Sequence, residues 1–194
     1  MKTTQKTLCG ILFALILVNV NILGQVSHGI YLTVSDFTAG KFSYADLRGK
    51  TCKIKIHELS FHTPIKITCG DSIFHIPKDS VYGFKDKENH FHRFYNKTTY
   101  EIINPKENIL IYKVLLFAKT KYDEAVYSYY FSKTAASPVL PLTIKNLEIA
   151  FRENKNFTDF IELHFKTNEE LTEYDSNHNM YKLNDLLELS KNQK

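Results

Sequence analysis

The stretch Ile65-Lys66-Ile67-Thr68-Cys69-Gly70-Asp71-Ser72-Ile73-Phe74-His75-Ile76 carries the pattern that decides the fold. Apolar and polar side chains alternate over 65–69, as expected for a strand with one buried face. Gly70-Asp71 is a turn-forming pair, and a second strand-like run follows at 72–76. The stretch therefore predicts a β-hairpin, and with it an antiparallel sheet.

Strand-like runs separated by turn formers extend from this hairpin in both directions. The runs lie at 52–57, 81–85, 90–95, 100–103, 109–118 and 125–132. The breaks between them fall at Pro77, 96–98, 104–105 and 121–123. Strands at this regular spacing predict an antiparallel meander that forms a small barrel or sandwich. The segment 36–47 is predicted as a short helix or loop that closes one end.

The hydrophobic period changes from strand-like to helix-like after Pro138 and Pro141. The apolar positions with helical spacing are Ile144, Leu147 and Phe151, then Phe157, Phe160 and Ile161, then Leu183, Leu186 and Leu187. Such short helices need a sheet to cover their narrow apolar stripes. The chain is therefore expected to be α+β and mainly β. We expect one domain over 25–194, with a β-rich body at 29–134 and short helices packed on it at 138–194.

The N-terminus has the pattern of a secretory signal peptide. Lys2 and Lys6 precede an apolar run at 8–20, and a small residue, Gly24, stands before Gln25. A membrane anchor is the alternative, but about 13 apolar residues fall short of the ~20 that span a bilayer. We expect cleavage after Gly24 and no membrane span in the mature chain. The mature protein would be exported to the periplasm, the cell surface or the medium.

The charge balance argues against a nucleic-acid partner. Removal of residues 1–24 takes away two of the 25 basic residues and none of the 21 acidic ones, which leaves a formal charge of +2. Nucleic-acid binding normally requires a concentrated basic face, and the sequence has no cluster of Lys and Arg.

Two cysteines, Cys52 and Cys69, follow the signal peptide. An even number of cysteines in an oxidising compartment favours a disulfide. A bridge across the 17-residue separation would contribute about 3 kcal/mol to stability. The alternative is a pair of buried free thiols.

Residues 81–96 hold the densest group of reactive side chains. A polar turn at 87–89 separates two aromatic-bearing runs, and His90 and His92 share one face of the second run. They are the candidate metal ligands, but zinc takes three or four protein ligands. Further ligands would have to come from His57, His62 or His75. Solvent-facing histidines beside a turn are the simpler interpretation, and partly buried, hydrogen-bonded histidines are the remaining alternative. Arg93 is expected to pair with a carboxylate such as Asp86. No catalytic residue and no cofactor is assigned.

Several motifs span most of the mature chain. They are Gly29-Ile30-Tyr31-Leu32-Thr33 with Asp36, Phe37 and Gly40, then Tyr82-Gly83-Phe84-x-Asp86, Arg93-Phe94-Tyr95, Tyr100-Glu101-Ile102, Tyr129-Tyr130-Phe131-Ser132 and Leu171-Thr172-Glu173-Tyr174-Asp175. In these motifs the chain resembles exported proteins of Bacteroidota bacteria, a family without known activity. The resemblance implies an extracytoplasmic location and a β-rich fold, and it assigns no role to any residue.

Together these patterns favour an exported, non-catalytic binding or structural protein of the bacterial cell envelope. Its partner would be another envelope protein, or a small apolar or sugar ligand in a mouth lined by Tyr and Phe. The alternative function is a metal-dependent hydrolase that uses a histidine cluster around His90 and His92.

Overall fold

The protein is a mainly antiparallel β structure with short C-terminal helices, as the sequence predicts. The computed structural model describes residues 28–47, 50–57, 60–117 and 125–192. Its strands are β1 (Gly29–Tyr31), β2 (Tyr44–Leu47), β3 (Lys50–Lys55), β4 (Ile65–Cys69), β5 (Ser72–Ile76), β6 (Gly83–Lys85), β7 (Phe91–Tyr95), β8 (Thr98–Ile102), β9 (Leu110–Phe117), β10 (Val126–Ser132), β11 (Leu140–Pro141), β12 (Tyr174–Asp175) and β13 (Met180–Tyr181). Its helices are α1 (Val34–Thr38), α2 (Ile144–Ala150), α3 (Lys155–His164) and α4 (Lys182–Asn192), with 3-10 turns at Lys78–Ser80 and Glu169–Thr172.

The hairpin predicted from residues 65–76 is confirmed as β4 and β5. The two strands pair antiparallel, with Ile67 opposite Phe74 and Cys69 opposite Ser72. Gly70 adopts a φ of 59°, a left-handed conformation that a glycine reaches without a steric penalty. The turn residues and the alternation of apolar and polar side chains therefore favour the same pairing, and together they set the register of β4 against β5.

Eleven of the described strands form one sheet in the order β11-β10-β9-β8-β7-β6-β1-β2-β3-β4-β5. Most neighbours in this sheet are also neighbours in the chain, as a meander requires. In this sheet the exception is the pairing of β1 with β6. β11 and β5 stand at the two ends of the strand order, so these strands do not close a barrel.

The sheet instead folds over itself like a sandwich. Ile65 and Ile67 of β4 pack with Ile30, Phe84 and Phe94, which belong to β1, β6 and β7. β4 forms no ladder with those three strands, so this core joins two distant parts of the sheet face to face.

The helices cover the other end of the same sheet. Ile111 of β9 lies opposite Phe131 of β10, and both are fully buried against the helical part. The helical residues in this core are Leu147, Phe157, Ile161, Leu183, Leu186 and Leu187, with Phe151 just after α2. The apolar positions that the sequence predicts for three helices therefore do face the sheet.

The segment 36–47, predicted as a short helix or loop, contains both a helix and a strand. α1 spans only five residues, and β2 then pairs with β1 and β3. Residues 1–27, which include the predicted signal peptide, lie outside the described residues. Among the helices that the structure describes, none is both long and apolar enough to cross a membrane.

Candidate functional site

An open groove with aromatic walls lies on the sheet face opposite the C-terminal helices. It has a volume of about 950 Å³ and lies among α1, the β6–β7 hairpin and the loops around residues 105 and 134. Its aromatic residues are Tyr31, Phe37, Phe42 and Phe91, and we call it the aromatic groove. Tyr31 and Phe37 are buried, whereas Phe42 and Phe91 are partly exposed. Phe42 and Phe91 are therefore the rings that a ligand can reach.

The capping of α1 places two of these rings. The Thr33 hydroxyl accepts a hydrogen bond from the Asp36 N–H, and an Asp36 carboxylate oxygen accepts one from the Thr33 N–H. A hydrogen bond from the Ser43 hydroxyl, together with those of Thr33, holds the pKa of Asp36 below its ordinary value. Gly40 then adopts a φ of 62° and turns the chain back. Phe42 thereby stacks on Tyr31 at a centroid distance of 4.8 Å, with Phe37 edge-on to Tyr31 at 5.5 Å.

The rim of the groove carries positive charge. Lys85 lies with its Nζ 5.2 Å from the centre of the Phe91 ring, and Lys106 lies on the loop across the groove. Lys133 also lines the groove, but its amine donates to the Ala150 carbonyl. The acidic residue in the lining is Glu107, whose oxygens accept hydrogen bonds from Asn104 and from the Tyr181 N–H. Burial raises the pKa of Glu107. The rim of the aromatic groove is therefore cationic, and its walls are aromatic.

The structure brings His90 and His92 together around one carboxylate. Asp86 Oδ2 lies 2.9 Å from His92 Nε2 and 3.4 Å from His90 Nδ1. The His92 ring stacks on Phe84 at 4.4 Å and is only 8% exposed, so the solvent-facing interpretation is wrong for His92. It holds for His90, whose side chain is 56% exposed.

The other histidines do not complete a site around this pair. His57, His62 and His75 are all exposed. The group of three or more metal-ligating side chains found within the described ranges contains none of these five histidines. Asp86, His90 and His92 therefore have the geometry of a hydrogen-bonded hairpin turn.

Arg93 does not pair with Asp86, because the two residues lie on opposite faces of the sheet. Its guanidinium is buried, donates to the Tyr112 hydroxyl at 2.9 Å and donates to the Ser137 carbonyl at 3.0 Å. The rings of Tyr82 and Tyr95 lie 5.2 and 5.1 Å from it. Arg93 thus fastens the loop around Ser137 onto the sheet, next to the aromatic groove.

The predicted bridge between Cys52 and Cys69 is present. The two residues lie directly opposite each other on β3 and β4, with their Cα atoms 4.2 Å apart. A disulfide is compatible with an oxidising compartment outside the cytoplasm.

A second group of side chains was not expected from the sequence. Asp175 ends β12, His178 lies in the following turn, and Asp185 lies in the first turn of α4. His178 Nδ1 is 3.0 Å from Asp175 Oδ2 and 3.4 Å from Asp185 Oδ2. One ligand atom from each residue lies within 4.8 Å of the other two. We call this group the Asp–His–Asp cluster. The sequence feature that could have indicated this cluster is Asp175-x-Asn177-x-Asn179 before a helix, because the same spacing occurs in cation-binding loops.

Comparison with known proteins identifies no relative. No protein-family model, no curated protein and no solved structure matches the chain.

Proposed function

We propose that this chain is an exported, non-catalytic binding protein of the bacterial cell envelope, and that a small apolar or sugar ligand binds in its aromatic groove. The observation that carries the proposal is the pair of partly exposed rings, Phe42 and Phe91, on the walls of an open groove of about 950 Å³. Aromatic faces stack against the C–H surfaces of sugars and against apolar chains, and such concave sites are the usual places for small ligands.

The composition of the groove supports binding over chemistry. Among the described residues that line it there is neither a histidine nor a cysteine, and Glu107 is held by Asn104 and Tyr181. The lysines at the rim would contact polar or anionic groups of a ligand. The groove is therefore suited to holding a ligand in place.

The binding proposal is tested by titration of the mature protein with cellobiose as the sugar probe and with octyl glucoside below its micelle concentration as the apolar probe. Tyrosine fluorescence reports the binding, because the chain has 12 Tyr and no Trp. We expect saturable binding of at least one probe. Phe91→Ala and Phe42→Ala should weaken it by about tenfold, or about 1.4 kcal/mol.

Phe74→Ala is the matched control, since Phe74 is exposed on β5 and lies outside the groove. Thermal unfolding of each variant confirms that it is folded. Absence of saturable binding of both probes at millimolar concentration contradicts the proposal. So does a Phe74→Ala variant that binds as weakly as Phe91→Ala.

Export is tested separately from binding. The proposal requires that the protein expressed in a Bacteroidota host is recovered outside the cytoplasm and begins at or near Gln25 by mass spectrometry. A cytoplasmic protein with Met1 retained would contradict the exported location, but it would not contradict ligand binding in the aromatic groove.

A further inference from the structure

The Asp–His–Asp cluster gathers more negative charge than its own contacts neutralise. Two carboxylates approach His178 Nδ1, an atom that carries at most one proton. The neighbouring cation, Lys182, pairs with Glu173 at 2.8 Å. Within the described residues, the ion pairs of Asp175 and of Asp185 are both with His178. Two carboxylates brought together in this way repel each other unless a positive charge lies between them.

Of the two carboxylates, Asp185 makes the longer contact with His178. Its side chain is only 17% exposed, and its contact with His178 Nδ1 measures 3.4 Å, longer than a normal charged hydrogen bond. Shielding a carboxylate from water without a close partner costs free energy. A cation shared with Asp175 and His178 would supply the close partner that Asp185 lacks.

The backbone holds the other carboxylate ready. Asp175 Oδ1 accepts hydrogen bonds from the N–H groups of Asn177 and His178 at 2.8 and 3.3 Å, which leaves Oδ2 directed at the imidazole. Asn179 adopts a φ of 60° and closes the turn between β12 and β13. The first ligand and the imidazole are thus positioned by local structure, whereas Asp185 arrives from α4.

The spacing of the three ligand atoms is compatible with a metal site. Donor atoms bound at about 2.1 Å to one tetrahedral ion lie about 3.4 Å from each other. The two measured separations are 3.0 and 3.4 Å, and the third lies within 4.8 Å. An adjoining cavity of about 540 Å³, lined by Asp175, Ser176, Asn177 and Asp185 among others, opens the cluster to solvent.

We propose that Asp175, His178 and Asp185 bind a divalent transition-metal ion, Zn²⁺ or Mn²⁺, which clamps the β12–β13 hairpin to α4. A nitrogen ligand beside two carboxylates suits these ions better than Ca²⁺, which takes six to eight oxygen ligands. The sequence agrees, since Met180 and Leu186 stand where a calcium loop of this spacing has glycine and glutamate. Three protein ligands leave one tetrahedral position for water.

The test uses the mature chain without a histidine tag, dialysed against EDTA and then titrated with ZnCl₂, MnCl₂ or CaCl₂ alone. Calorimetry should show one equivalent of Zn²⁺ or Mn²⁺ bound, and the bound ion should raise the unfolding temperature, because it binds the folded state. His178→Ala should abolish the increase in unfolding temperature and weaken metal affinity by about tenfold or more. Mutation of a residue that only hydrogen-bonds a metal ligand already weakens affinity by about that much.

His178→Ala is the preferred variant because that side chain is 59% exposed, so its loss should not unfold the protein. Asp185→Asn is the second variant, and it should also abolish the shift. His75→Ala, an exposed histidine on β5, is the matched control and should retain full binding. The proposal is overturned if neither Zn²⁺ nor Mn²⁺ binds saturably, if Ca²⁺ binds more tightly than both, or if His178→Ala binds as well as His75→Ala.

Discussion

The side-chain amide of Asn184 pairs with the backbone of Ile109 as a neighbouring strand would. Asn184 Oδ1 accepts from the Ile109 N–H at 2.8 Å, and its Nδ2 donates to the Ile109 carbonyl at 3.0 Å. Asn104 supplies the same kind of contact from the other side, to the Ile109 carbonyl and the Ile111 N–H. These amides satisfy buried backbone groups at the start of β9, beyond the residues that pair in the ladder with β8. The Asn184 amide ties α4 to the sheet across 75 residues of chain.

Replacement of Asn184 should destabilise the protein strongly. Asn184→Leu keeps the number and branching of the side-chain heavy atoms but leaves the Ile109 N–H buried without a partner, which we expect to cost about 2 kcal/mol. Urea unfolding followed by circular dichroism measures the change. Asn192→Leu, at the exposed end of the same helix, is the control and should change stability by less than about 0.5 kcal/mol. Equal effects of the two variants would contradict a structural role for the amide.

Reduction of the disulfide should weaken the fold. Opening the Cys52–Cys69 bridge frees a 17-residue loop in the unfolded state, so we expect a loss of about 3 kcal/mol. The measurement is the urea midpoint with and without dithiothreitol. The double variant Cys52→Ser, Cys69→Ser should match the reduced protein and should not respond to the reductant. If complete reduction leaves the wild-type midpoint unchanged, the bridge is not stabilising.

A side chain at Gly83 should not be accommodated. A Cβ at this position on β6 would meet the carbonyl oxygen of His92 on β7, well inside contact distance, and backbone atoms cannot rotate away. Gly83→Ala should therefore destabilise by about 2–3 kcal/mol, the upper part of the range of about 1–3 kcal/mol that is typical of overpacked cores. At Gly40 a Cβ meets nothing within 4 Å. Gly40→Ala should therefore lower stability only by the cost of holding an alanine in the left-handed conformation, about 1 kcal/mol. Chemical denaturation compares the two, and a smaller effect at Gly83 would refute the close approach.

Asp86 should make the protein sensitive to acid. Burial alone would raise its pKa, but the hydrogen bonds from His92 and from the His90 N–H outweigh burial and lower the pKa below the ordinary value. A carboxyl group with a lowered folded-state pKa stabilises the protein above its unfolded value of about 3.9. That stabilisation disappears as the pH falls through the folded pKa.

The pH prediction is checked by the urea midpoint between pH 7 and pH 2. Asp86→Asn should lower stability at pH 7 and flatten the decline below about pH 4, because the neutral amide cannot titrate. Asp79→Asn, at an exposed position, serves as the control. An Asp86→Asn variant whose acid decline is as steep as that of the wild type would show that other groups cause it.

Local patterns were sufficient to predict most of the β structure. β4 and β5 fall at the predicted positions, 65–69 and 72–76, because period-two alternation and the Gly70-Asp71 turn act within a few residues. β2 was missed, since Tyr44–Leu47 becomes a strand through pairing with β1 and β3. The residues of β2, Tyr44-Ala45-Asp46-Leu47, do not alternate strictly between apolar and polar, so they leave no clear local period.

The sites were harder to predict than the strands. The sequence placed His92 in a hairpin, but its burial depends on the Phe84 ring and on Asp86. It gave no sign that Arg93 points away from Asp86, into a cage of tyrosines. The face that a side chain takes is fixed by strand register, and its partners are fixed by packing across the sheet.

The sequence by itself determined an antiparallel sheet followed by short amphipathic helices, and it identified the two cysteines that pair. Hydrophobic periodicity and turn-forming residues act over a few neighbouring positions, so they can be recognised in a single sequence. Only the tertiary structure decided that Phe42 and Phe91 flank one groove, and that Asp185 of α4 meets Asp175 and His178 of the preceding hairpin. Such meetings depend on how whole elements pack, because the sum of many weak contacts along an element sets its position.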